Sequence, residues 1–449
     1  MDSTSRNVQL LKEAEIKLNK IRFNNIGLGS VLSTHLDSLY RDDFDNRPFH
    51  HLVYLGYLIF NSLFKIKKIE DWNKEIIYYK TGHHKHLEAM LSAIHYNKDI
   101  KEKTLSIGPS STSVPLKKVY NSFSLIDVFK VNIFVTKKFK EISKILSILD
   151  ISLKRRGILF LILSIQLIKA KALIVFFSKQ KSLKVVGADY DRGKDTCLMF
   201  AAAKALNIKN FTLQHGVHNP PVGYAPVNAD EIWVWNKMTK LQLTALGEDE
   251  HKIRITGTPI ISDIRVTQDL RLKYLEKYNL KKGKVIVLAL SHPDKANDYK
   301  MVKYIADLKR ELGTRNYSYV VKIHPAREFS LFSWIEEEFN IRILPHDIPF
   351  KDTMNITDIL LTHTSGLATE ALYYNKKVGV LDILKSSPGN GLELHKYFNV
   401  PLLKSTEDFK VLLTTKNDSV SKNDIYFKTG VSAQEEITLC LKRLLNSAT

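Results

Sequence analysis

The chain has 449 residues, 44% hydrophobic and 25% charged, with a formal net charge of +20. That length suits two domains better than one, and the composition excludes a chain disordered throughout. Two cysteines far apart, Cys197 and Cys440, exclude a disulfide framework and a cysteine-built zinc site, and the positive excess points to an anionic partner such as nucleic acid, acidic lipid, a nucleotide-linked donor or an acidic glycan.

The first residues, MDSTSRNVQLLKEAEIKLNK, are polar and amphipathic and lack the apolar region of a secretory signal, so a cytoplasmic location is expected. Residues 1–72 read as a helical extension that includes the apolar run HHLVYLGYLIFNSLFKI. From residue 75 the pattern changes to strand (EIIYYK) and then helix (KHLEAMLSAI), which opens an α/β domain expected over 73–265. Residues 101–125 have loop composition. The stretch GILFLILSIQLIKAKALIVFF, 157–177, is about as long as a bilayer-spanning helix, but Lys169 and Lys171 interrupt it. It is expected to be a core helix running into a strand, with a basic edge suited to an acidic membrane surface.

The alternation is clearest next. KVVGAD, FTLQHG, DEIWVW and KIRITG read as strands, and GKDTCLMFAAAKALNI and NKMTKLQLTALG as helices. A polar linker is expected over 262–284. The pattern then restarts in a second α/β domain, expected over 284–449, with KVIVLAL, YSYVVKI, IRIL, ITDILLTH and KVGVLDI as strands. Strands alternating with helices imply parallel sheets covered on both faces, which bind ligands beyond the carboxyl ends of the strands.

Polar residues gather at those ends. In the second module Ser291 and His292 follow one strand, Lys322, His324, Pro325 and Arg327 end another, and Thr364, Ser365 and Gly366 open a helix that carries Glu370. Basic and hydroxyl side chains and a helix N-terminus suit a phosphate or pyrophosphate, and Glu370 suits ribose hydroxyls. In the first module Asp189, Asp191 and His215 stand at strand ends and compete for the role of general base toward an acceptor hydroxyl. Asp189 and Asp191 also have the spacing of a DxD metal motif, but their place at a strand end favours a base over a metal site.

The run FTLQHGVHNPPVGYAPVNADEIWVWNKMTKLQLTALGEDEHKIRITGTP, then VVKIHP, then DILLTHTSGLATEAL, resembles the GT-B transferases of surface-polysaccharide synthesis: capsule and lipopolysaccharide Kdo transferases, bacterial sialyltransferases and CDP-glycerol glycerophosphotransferases. The resemblance spans roughly 184–382. It implies two Rossmann-like domains facing a cleft, and it places the donor phosphate on His324, Pro325, Thr364 and Ser365, with the donor ribose at Glu370. The expected activity is an inverting, metal-independent transfer of sugar from a nucleotide-sugar donor, CMP-linked by preference, to a cell-surface glycan or glycolipid acceptor. No tightly bound cofactor is expected; the nucleotide-sugar is a co-substrate. The alternatives are glycerophosphate transfer from a CDP-alcohol, epimerisation of a UDP-sugar, and a non-catalytic basic protein on membrane or nucleic acid. Because the positive charge is spread along the chain, nucleic acid is not an expected partner.

Overall fold

A computed structural model describes residues 3–39, 47–64, 71–82, 85–108, 114–120, 123–216, 224–261, 264–290, 295–325, 327–363, 365–384, 394–414, 422–426 and 428–447. Two compact units emerge, one formed by 1–215, 221–261 and 428–449, the other by 216–220 and 262–427. Each is built on one six-stranded, wholly parallel sheet. Both are Rossmann-like, and the α/β class with an N-terminal helical region is as the sequence predicts.

The first sheet contains β1 (Ile76–Tyr79), β2 (Thr104–Ile107), β3 (Val185–Ala188), β4 (Lys209–Leu213), β5 (Glu231–Val234) and β6 (Ile253–Ile255), in the order β2-β1-β3-β4-β5-β6. Strand β2 falls where loop composition suggested no strand; its sequence TLSI is too short to declare itself. Strands β1 and β3 are buried at every position, as expected for strands with both faces covered. On one face Gly187 of β3 lies in register between Tyr78 and Phe211. A Cβ there would meet the Phe211 ring at 2.3 Å, so only glycine lets that ring lie across the strand and stack on Trp233 at 4.1 Å and 15°.

Helices α1 (Ser3–Asn19), α2 (Leu28–Ser38), α3 (Pro48–Phe64) and α4 (Leu125–Lys137) belong to this unit, together with α5 (Leu153–Lys179) and α6 (Lys194–Ala205). The run 157–177 lies inside α5, and the strand it leads into, β3, starts at Val185, as the sequence predicts. Ser152 caps α5 by accepting a hydrogen bond from the Arg155 amide at 3.3 Å, and no proline interrupts the helix after that. Helix α5 is long and apolar enough to cross a membrane, yet 72% of its most apolar window is buried inside this unit, where α2, α3, α4 and α6 pack on it.

The N-terminal helices are part of the same core. Val8, Leu11 and Leu18 of α1 and Val31 and Leu36 of α2 share one apolar cluster with Val186 of β3 and Leu198 of α6. A buried polar knot sits among them. The Arg192 guanidinium, 0% exposed, donates to Glu15 Oε1 at 2.6 Å, to the Ser33 carbonyl at 2.9 Å and to the Pro226 carbonyl at 2.6 Å.

The second sheet contains β7 (Lys284–Leu290), β8 (Tyr317–Ile323), β9 (Arg342–Ile343), β10 (Ile359–Thr362), β11 (Lys377–Leu381) and β12 (Leu402–Leu403), in the order β9-β8-β7-β10-β11-β12. The direction of winding reverses between β7 and β10 here, and between β1 and β3 in the first sheet. Such reversal points open the crevices in which α/β sheets hold ligands.

The stretch expected as a linker, 262–284, contains helix α7 (Gln268–Lys277). Thr267 caps it by accepting from the Leu270 amide, Arg271 pairs with Asp358 at 2.5 Å, and Lys277 pairs with Asp352 at 2.7 Å. Only Leu275 of this helix is buried, so it lacks the apolar stripe by which a helix is read from sequence. Helix α8 (Leu367–Tyr373) follows β10.

The second unit was expected to run to residue 449. Instead the chain rejoins the first unit at Lys428. The Thr258 amide donates to the Lys428 carbonyl at 2.9 Å, and the Gly430 amide to the Thr258 carbonyl at 3.1 Å. Gly257, at φ +83°, allows this approach, since a Cβ there would lie 2.3 Å from the Lys428 carbonyl oxygen. The closing helix α9 (Gly430–Ser447) is fastened by Arg443, which donates to Glu231 at 2.5 Å.

Candidate functional site

The first unit's reversal point is closed by its own side chains. Asp189, directly after β3, is 0% exposed and accepts from the Thr81 amide at 3.1 Å and the Thr81 hydroxyl at 2.6 Å. Thr81 lies just beyond β1, so the contact spans the crevice between the two strands. Burial pushes the Asp189 carboxyl up to about 6, against the pull of the Thr81 hydrogen bonds and the Lys80 charge. Lys80, equally buried, pairs with Glu88.

Asp191 is 0% exposed as well, and its two oxygens accept from the Asn228 amide at 2.6 Å and the Ala229 amide at 2.8 Å. Burial pushes its carboxyl up to about 6, opposed by those two amides and the neighbouring Arg192. A carboxylate engaged in this way fixes a loop. Its oxygens are engaged, as are those of Asp189, so the geometry makes these two of the three base candidates structural.

His215 is different. It is partly exposed, its ring lies edge-on to Tyr190 at 5.1 Å and nearly parallel to Tyr224 at 5.7 Å, and the Tyr224 hydroxyl is 3.4 Å from its ring nitrogens. Tyr224 is buried in the first unit's core and Tyr190 is half-buried, so the two rings hold His215 in place at the strand end. Neither tyrosine was selected from sequence, because tyrosines in a loop carry no spacing signal.

In the second unit the strand ends that carry the sequence motifs are neighbours. Strand β7 lies between β8 and β10, with Ile323 opposite Leu290 and Thr362 opposite Ala289. Ser291, His292 and Thr364 lie outside the described residues. The His324 amide donates to the Leu290 carbonyl at 3.0 Å, while the His324 and Pro325 side chains are exposed on the rim. Arg327 turns away from it: the guanidinium donates to the fully buried Asp298 at 2.6 Å and packs over Phe332 at 4.5 Å. The expected phosphate contact of Arg327 is thus replaced by a buried ion pair.

Ser365 is buried just before α8. Its amide donates to the Thr362 hydroxyl at 3.0 Å, and its hydroxyl accepts from the Leu367 amide at 3.3 Å, which leaves its proton to donate. Gly366 holds the N-cap position with helical backbone angles. His363, not selected from sequence, is buried and places Nδ1 2.8 Å from the Leu381 carbonyl. Because a carbonyl only accepts, Nδ1 carries the proton.

Lys322 and Glu370 are the charged pair of this rim, each half-buried and each acting on the other. Burial pushes the Glu370 carboxyl up to about 7, partly offset by the Lys322 charge. Burial pushes the Lys322 ammonium down, partly offset by Glu370. A carboxyl titrating near neutrality beside a cation at a sheet's reversal point has the signature of a ligand site.

Residues 229–383, about a third of the chain, match the family model described as UDP-N-acetylglucosamine 2-epimerase. That stretch contains Lys322, His324, Ser365 and Glu370. No curated protein matches the chain. Among solved structures, the chain is similar to the S. aureus MnaA complex with UDP, at 13% identity over 83% of this chain and 97% of that chain, TM-score 0.48. It is similar to UDP-N-acetylglucosamine 2-epimerase from Rickettsia bellii, at 15% identity over 83% and 98%, TM-score 0.47. The wall teichoic acid polymerase TagF is similar at 13% identity over 90% and 99%, TM-score 0.45. The names these matches carry belong to nucleotide-sugar and surface-polymer enzymes; no Kdo transferase or sialyltransferase stands among these three.

Proposed function

We propose that this chain is an enzyme acting on a nucleotide-activated sugar, with the nucleotide held at the rim formed by β7, β8 and β10. The observation that carries the reading is the adjacency of β8, β7 and β10, whose carboxyl ends bring Lys322 and His324 to the same rim as Ser365 and Glu370. Lys322 and His324 answer the diphosphate, the Ser365 hydroxyl donates to one of its oxygens, and Glu370 accepts from a ribose hydroxyl. The preferred substrate is a UDP-linked N-acetylhexosamine, since the family model covering this rim is that of an epimerase of such a sugar. The CMP-linked donor suggested by sequence resemblance is accordingly the lesser choice. The preferred reaction is inversion of one sugar stereocentre, by removal and return of a proton.

Glycosyl transfer to a glycan is the second reading, favoured by one observation: the partly exposed His215, held by the Tyr190 and Tyr224 rings, is a candidate base at the rim of the first sheet. In that reading the two-Rossmann GT-B plan supplies acceptor and donor sites.

Thermal stability of the full chain with UDP, CMP, CDP and GDP, beside His324→Ala, tests the nucleotide site. A rise with UDP that His324→Ala diminishes supports it; indifference to all four nucleotides overturns it. Incubation with UDP-N-acetylglucosamine then separates the chemistries. A new UDP-sugar isomer marks epimerisation, whereas free UDP with a glycosylated product marks transfer.

A further inference from the structure

Helix α3 turns apolar side chains outward. Phe49, Leu52 and Val53 are each more than half exposed, and of the side chains described in this helix only Leu58 is buried. Helix α4, which packs beside it and likewise lies on α5, has the same division. Val128, Val131 and Val135 face inward at helical spacing, while Ile126, Phe129 and Ile133, at the same spacing one face over, are each more than half exposed. Two adjacent helices thus present apolar side chains that stay exposed among the described residues of the first unit.

The charge around this face has one sign. Between residues 127 and 156 there are eight lysines and arginines against three acids, and Lys130, Lys137, Lys140, Lys144 and Lys154 are exposed. The face also adjoins the first sheet's rim. Tyr54 of α3 lies under the Lys169 ammonium at 5.1 Å, and Lys169 is 4.0 Å from Asp195, which accepts from Tyr120 at 2.6 Å and from Tyr79, the last residue of β1, at 3.4 Å.

We propose that α3 and α4 form a docking surface for an anionic lipid bilayer, with their apolar side chains in the interface and the surrounding lysines on phosphate head groups. A second copy of the chain is disfavoured as occupant, because a two-fold contact sets this basic collar against itself. Docking leaves the rim beyond β1 close to the bilayer surface, where a lipid-linked sugar is within reach. It does not depend on which reaction the rims support.

The test is co-sedimentation of the full chain with vesicles of phosphatidylcholine alone and with about 30 mol% phosphatidylglycerol, at low and high salt. Binding to the anionic vesicles that salt reverses is expected, with little binding to the neutral ones. Leu52→Ser/Phe129→Ser/Ile133→Ser and Lys137→Glu/Lys140→Glu/Lys144→Glu should each weaken it by about tenfold or more, with unchanged thermal unfolding because every position is exposed. Equal binding by wild type and both variants, no binding to either vesicle, or a solution dimer that the serine variant dissociates would overturn the proposal.

Discussion

The two sheets wind in the same sense and carry acids, histidines and hydroxyls at the same carboxyl-terminal rim, but those groups are engaged differently. In the first unit Asp189 locks onto Thr81, Asp191 onto two backbone amides and Arg192 onto Glu15, all out of contact with solvent. In the second, Lys322 and Glu370 stay half-buried, and His324 is exposed. The difference follows from the N-terminal helices: α1 and α2 bring Glu15 and the Ser33 carbonyl to Arg192, which turns a rim into a core. Polar residues at a strand end therefore mark a ligand site only where no further layer of chain covers them.

The comparison breaks most visibly at Arg192. Arg192→Met leaves Glu15 without its buried cation and should lower stability by about 3–5 kcal/mol in urea unfolding, and Glu15→Gln in the same chain should recover part of it. If Arg192→Met unfolds like wild type, the knot is not what holds the helices. In the second unit Lys322→Ala should leave unfolding nearly unchanged but weaken UDP binding by about 1.5–3 kcal/mol, read by calorimetry. An unaltered Kd would remove Lys322 from the site.

A smaller effect sharpens the contrast through pH. Glu370 has its folded carboxyl near 7, above its unfolded value, so it is largely neutral below that pH and charged above it. The carboxylate is the stronger acceptor for a ribose hydroxyl, so UDP affinity should rise about three- to tenfold between pH 6 and 8, and Glu370→Gln should flatten the profile. A steeper profile in the Gln variant would contradict this. The smallest effect is expected for the exposed His324: His324→Ala should unfold within about 0.5 kcal/mol of wild type while losing UDP affinity.

Much of this organisation is legible in the sequence, and the exceptions have physical reasons. KVIVLAL is apolar from Val285 on and YSYVVKI is rich in aromatic and β-branched residues, and the order of such strands gives the parallel sheets directly. Helix α7 escapes because it buries a single leucine, and β2 because four residues of mixed polarity carry no period. At the rims, residue type identifies Lys322, His324, Ser365 and Glu370 as a group because their strands are adjacent in the sheet. Sequence cannot distinguish Arg327, drawn into Asp298, from a phosphate ligand, nor Asp191 from a base, because the partners that claim them lie 29 residues and 37 or 38 residues away. The aromatic setting of His215 is hidden for the same reason.

The return of α9 to the first unit bears on how the protein is made. A ribosome releases residues 1–261 well before the segment that fastens to Gly257, Thr258 and Glu231 exists. The face that α9 covers must therefore wait, uncovered, through synthesis of the second unit's residues 262–427, and any nonsense codon before residue 428 leaves the first unit without that layer. Translation of α9, rather than of either sheet, is the event that completes this layer of the first unit.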